Sequence, residues 1–80
     1  MSDIKLSERA REVKLGMYKH YKGGSYQVLG VGIHSETLEE YVIYKALYGQ
    51  GLTWFRPLSM FLEEVEVNGV RQPRFKFIKI

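Results

Sequence analysis

The sequence predicts a small, mostly β domain of about five strands, curled into a barrel or an open roll. A short N-terminal helix and a helical turn before the last strands accompany them. Three observations predict this. Short runs of alternating apolar and polar residues recur from Met17 to Ile80, each bounded by Gly, Pro, Asn or Ser. The loops between them are tight, as at Gly49-Gln50-Gly51 and Asn68-Gly69. Finally, eighty residues with 45% hydrophobic and 14% aromatic content suit one domain that fills a small core with large rings.

In chain order, Ser7 is placed to cap a helix through Val13, with Glu8 in its first turn and Gly16 ending it. Met17–Tyr21 reads as the first strand and Lys22-Gly23-Gly24-Ser25 as a turn. Tyr26–His34 is the second strand, in which Gly30 and Gly32 share a face and permit sharp coiling. Ser35–Glu40 is a polar connection. Tyr41–Tyr48 alternates most clearly, with Val42, Tyr44, Ala46 and Tyr48 on one face. Leu52–Arg56 returns as the fourth strand, setting Leu52, Trp54 and Arg56 together. Pro57 then opens the helical turn Leu58–Leu62. Val65–Val67, Asn68-Gly69 and Val70 read as a type I′ hairpin tip, and Phe75–Ile80 as the last strand, with Lys76 and Lys79 guarding an edge. A helical turn ahead of a final strand is the arrangement of SH3-like barrels, by analogy of fold. Residues 1–15 are expected to form a tail and the short helix, and residues 16–80 the single β domain.

Composition excludes several classes. Without cysteine there is no disulfide framework and no thiolate zinc site. No apolar run approaches the roughly 20 residues of a membrane span, and the polar start has no apolar signal core, so a cytoplasmic location is expected. The net charge of +3 is dispersed rather than gathered into the basic stripe of a committed nucleic-acid binder.

Several blocks, taken in order, resemble a known family. They are Tyr18-Lys19-His20-Tyr21-Lys22-Gly23, His34-Ser35-Glu36-Thr37-Leu38-Glu39, Tyr44-Lys45-Ala46-Leu47-Tyr48-Gly49 and Trp54-Phe55-Arg56-Pro57-Leu58-Ser59-Met60-Phe61. Across roughly residues 16–78 the chain resembles the bacterial domain of unknown function 1653. The resemblance implies a small bacterial domain without an assigned activity, and it transfers no catalytic residues.

Two constellations compete for function. Trp54 and Arg56 share one strand face, with Tyr26, Tyr44 and Tyr48 on neighbouring strands. A guanidinium near rings binds a carboxylate or phosphate while a ring stacks on a planar group. Six tyrosines, four phenylalanines and one tryptophan exceed what so small an interior holds, although many of these rings must be core. This favours a non-enzymatic module that binds a peptide, a nucleotide or nucleic acid, with no cofactor. The alternative is a metal-dependent or acid–base enzyme using His20, His34 and Glu36, with Glu39 nearby. No metal motif matches their spacing, and a turn at Gly23-Gly24 pairs His20 close to Ser25–Gln27, away from His34. The segment His34-Ser35-Glu36-Thr37 reads better as a connection bonding its own backbone. A basic set, Arg71, Arg74, Lys76 and Lys79 with Lys19 and Lys22, reads better as a charged edge than as a phosphate track. A homodimer or protein partner joined through an exposed strand edge is a third possibility.

Overall fold

In a computed structural model, which describes residues 4–80, these residues build seven strands and two single-turn helices. Helix α1 (Glu8–Arg11) is capped as the sequence predicts: the Ser7 hydroxyl accepts from the Ala10 amide at 3.1 Å. It stops at Arg11 rather than Val13, and a single turn needs external anchoring. The Ser7 amide and hydroxyl both donate to the Glu40 carboxylate, each at 2.7 Å. These bonds, the main-chain one foremost, hold the Glu40 carboxyl below its usual range. Ala10 is thereby pressed into the core. Ser7→Ala removes both the cap and the hydroxyl bond, so it is expected to lower stability by about 1 kcal/mol in urea unfolding. An unchanged midpoint would show that packing and the Ser7 main-chain bond to Glu40 suffice to hold the helix.

Gly16 opens a strand instead of ending the helix. The main sheet is antiparallel, formed by β1 (Gly16–His20), β2 (Ser25–Ile33), β3 (Glu40–Ala46), β4 (Thr53–Pro57) and, after the next helix and hairpin, the last strand. Helix α2 (Leu58–Phe61) follows β4 directly, entered through Pro57 at φ −51°. Next comes a separate hairpin of β5 (Glu64–Val67) and β6 (Val70–Pro73), turned by Asn68 and Gly69, both with positive φ, as a type I′ turn demands. The last strand, β7 (Phe75–Lys79), pairs with β1, so the spatial order is β4-β3-β2-β1-β7.

The sheet does not close into a barrel, which corrects one of the two expected architectures in favour of the open one. Strands β4 and β7 remain edges. The sheet nevertheless curls strongly: Phe75, on the β7 edge, lies 5.3 Å from the Tyr44 ring on β3 and 5.5 Å from the Arg56 guanidinium on β4. Side chains, not backbone hydrogen bonds, fill the gap. The physical cause lies between the edges, where Phe61 of α2 stacks flat on Phe75, centroids 4.3 Å apart, and wedges a layer of rings in place of a ladder.

One face of the sheet carries the core. Val28, Val42, Tyr18, Tyr44, Phe61, Phe75, Leu58 and Ala10 form a single buried cluster. Burying Tyr18 raises its hydroxyl pKa, and the hydroxyl is satisfied by donating to the Lys14 carbonyl at 2.7 Å. Between Val28 and Gly30 the pairing of β2 with β3 shifts register. Val31 is thereby set opposite Val42, facing the core, while Gly30 and Gly32 fall opposite Ile43 and Tyr41 on the outer face.

Candidate functional site

The inward face of the sheet is only half covered. At one end, α1 and α2 lie over it; at the other the same rows of side chains open into a cavity of about 260 Å³. Strand register builds its walls. The β3–β4 ladder sets Tyr44 opposite Trp54 and Val42 opposite Arg56. The β2–β3 ladder sets Tyr26 beside Ala46, and the β1–β7 ladder sets His20 opposite Phe75. All five residues singled out from the sequence, Tyr26, Tyr44, Tyr48, Trp54 and Arg56, line this one cavity, together with His20 and Phe75.

Their environments differ. Tyr44 is buried, whereas Trp54 and Tyr48 are about half exposed, at 50% and 52%, and form the mouth. Tyr48 lies beyond the end of β3, where its ring packs on the bare Cα of Gly24; a Cβ added there would sit 2.7 Å from the ring. The Tyr48 and Tyr26 hydroxyls are hydrogen-bonded to each other. Burial, and after it this bond, push the Tyr26 hydroxyl up to about 12, so it stays neutral at physiological pH.

Arg56 is half-buried and oriented from two sides. Its Nε donates to the Tyr44 hydroxyl at 3.1 Å, and its guanidinium carbon lies 5.5 Å from the centre of the Phe75 ring. Among the described residues no carboxylate pairs with it; the two ion pairs are Arg71–Glu64 and Arg74–Glu63. None of the cavity's lining residues is acidic. His20 packs edge-on against Phe75 and accepts the Lys22 amide through Nδ1 at 3.1 Å, so its neutral form carries the proton on Nε2. Burial, and then the charges of Arg56, Arg74 and Lys22, lower its pKa, which favours that neutral form. Arg56 and His20 supply donors, and the tyrosine hydroxyls can donate as well as accept. The cavity is therefore suited to receive an anion beside flat surfaces.

The metal set is not brought together. His20 ends β1 and His34 follows β2, so the length of β2, roughly 25–30 Å of strand, separates them. No group of three His, Cys, Asp or Glu side chains able to hold a metal occurs among the described residues. His34 instead organises its own loop: Nδ1 accepts from the amides of Glu36 and Thr37 at 3.1 and 3.2 Å. Glu39 accepts from the Tyr41 hydroxyl at 3.0 Å. The basic set is likewise divided. Arg71 and Arg74 are ion-paired, and Lys19 faces Lys76 across the outer side of β1 and β7, away from the cavity.

Sequence reasoning had missed His20 and Phe75 as walls of the site. The signal was present for His20: once the Gly23-Gly24 turn pairs His20 near Tyr26, the two rings fall on the same side, and their centroids lie 6.4 Å apart.

Comparison with known proteins agrees on a family and adds no activity. No curated protein matches the chain. A crystal structure of a DUF1653 protein from Bordetella bronchiseptica is 37% identical, superposes with a TM-score of 0.80, and covers 86% of this chain and 91% of its own. The family model described as "Protein of unknown function (DUF1653)" matches residues 16–77, most of the chain, and the chain belongs to that family.

Proposed function

We propose that this domain is a non-enzymatic binding module that recognises an anionic or planar ligand through Trp54, Arg56, Tyr26, Tyr44 and Tyr48. One observation supports it above the rest: a guanidinium steered by Tyr44 and Phe75, with no acidic partner, in a cavity otherwise walled by rings. A half-buried cation without a carboxylate partner adds little to stability beyond its contacts with Tyr44 and Phe75, whereas a binding site gains a receptor for negative charge. The reading carries with it a bacterial, cytoplasmic setting, with which the cysteine-free composition agrees.

The test uses the doubly substituted Trp54→Ala, Arg56→Ala protein and a panel of adenosine monophosphate, a single-stranded oligothymidine and an acidic, phenylalanine-containing tetrapeptide. At least one probe is expected to move the backbone amide resonances of β3 and β4 in the wild type and to leave the variant unmoved. The variant should keep its melting temperature to within a few degrees, since neither replaced side chain belongs to the buried cluster. A collapsed melting transition would show that the contacts of this pair serve the fold instead.

A further inference from the structure

The cavity's charge and size narrow its ligand further, on the basis of the binding-module reading above. We infer that it takes one small aromatic monocarboxylate, its carboxylate held by Arg56 and its ring against Trp54 and Tyr48.

Charge comes first. The cavity holds one formal cation, Arg56, and no anion. The Nε of Arg56 is already committed to Tyr44, which leaves the edge formed by its two terminal nitrogens for a paired, two-pronged contact. A carboxylate matches that edge in both shape and unit charge. A phosphate monoester, doubly charged above its second pKa of about 6, would leave one charge uncompensated beside buried rings. The surrounding cations do not supply the difference. Arg74 is paired with Glu63 at 2.7 Å, and Lys22 is exposed, its ammonium 5.7 Å from the Tyr21 ring. The neutral His20, through Nε2, and the Tyr26–Tyr48 hydroxyl pair add uncharged donors.

Size and surroundings argue next against a polymer. Sites for drug-sized ligands enclose roughly 300–1,000 Å³, and this cavity falls below that range at about 260 Å³. A nucleic acid needs a series of cations along its backbone. Here Lys19 and Lys76 lie on the opposite face of the sheet, and Arg71 is held by Glu64. A single charge in a single aromatic cavity fits a single ring acid. The side walls fit too, because Trp54 and Tyr48 are half exposed and can adjust around a flat group.

The test compares benzoate, its uncharged counterpart benzamide, acetate and phenyl phosphate on the wild-type protein, by amide chemical shifts at pH 7.5. Benzoate is expected to shift Tyr44, Trp54, Arg56 and His20. Benzamide and acetate should each bind about tenfold more weakly, the size of effect that losing a charge-assisted contact or a stacked ring produces. Arg56→Gln should weaken benzoate by at least as much, and benzamide, which brings no charge to the guanidinium, by less. Because the benzoate and benzamide comparison needs no substitution, it stands even if that variant unfolds. Equal binding of benzoate and benzamide, or phenyl phosphate outcompeting benzoate tenfold, overturns the carboxylate assignment. If the oligothymidine or the tetrapeptide moves these resonances and benzoate does not, the monocarboxylate inference fails and the binding-module reading stands. If no probe of any class moves them, both fail.

Discussion

Phe75→Ala is expected to cost about 3–5 kcal/mol, the usual result of truncating a buried phenylalanine. For a chain of eighty residues, whose total stability is roughly 4–12 kcal/mol, that is a large share of the whole. The ring touches every part of the fold that matters. It stacks on Phe61 and meets Tyr44 edge-on at 5.3 Å, Tyr26 at 5.7 Å and His20 at 4.8 Å. It also lies under the Arg56 guanidinium. Its loss joins a core void to the ligand cavity and removes the ring on which Phe61, Tyr44 and the Arg56 guanidinium rest. Phe55 offers the control: its ring is 68% exposed on the outer face and pairs only with Tyr41, centroids 5.4 Å apart. Phe55→Ala should therefore cost about 1 kcal/mol. Urea unfolding followed by circular dichroism measures both. Equal losses would mean that the curled sheet is not held by the rings across its gap.

Gly16→Ala is the second large effect, and its cause lies in the backbone. Gly16 sits at φ +135°, where a side chain is strained, and a Cβ there would come within 2.4 Å of the Lys79 carbonyl oxygen and 2.8 Å of the Ile80 Cα. Both are main-chain atoms, so relief requires parting β1 from β7 at the irregular step between Met17 and Tyr18. Strain and overpacking together should cost about 3 kcal/mol. For a domain of this size that lowers the melting temperature by roughly 12–24 °C. Gly30→Ala is the contrast: its backbone has no positive φ, and nothing lies within 4 Å of the added carbon. Its melting temperature should stay within a few degrees. If Gly16→Ala melts like Gly30→Ala, the close approach of β1 and β7 is not a constraint.

The site was legible because strand alternation is local. The side chains of Trp54 and Arg56, two residues apart on β4, must point the same way, and tight hairpins carry that parity from strand to strand. Hence the five residues chosen for their chemistry line one cavity. Alternation fails where the ladder is irregular. In β2 the register shift after Val28 exchanges the faces, which turns Val31 inward and sends Gly30 and Gly32 outward. No residue-level pattern announces such a shift. Barrel closure was equally out of reach, because it depends on whether β4 and β7 meet as backbones or through the rings of Phe61 and Phe75. The anchoring of α1 by Glu40, thirty-three residues from Ser7 in sequence, is another long-range contact of this kind.

Local chemistry along the chain specified the β class, the turn at Asn68-Gly69, the helix cap at Ser7 and the face on which the indole and guanidinium lie. Each follows from torsional preferences or side-chain period within a few residues. The open sheet, the uncovered end of its inner face and the completion of the cavity by Phe75 and His20 emerge only in three dimensions. Those outcomes depend on how distant side chains share one space, and packing of that kind is settled by volume and contact across the whole chain.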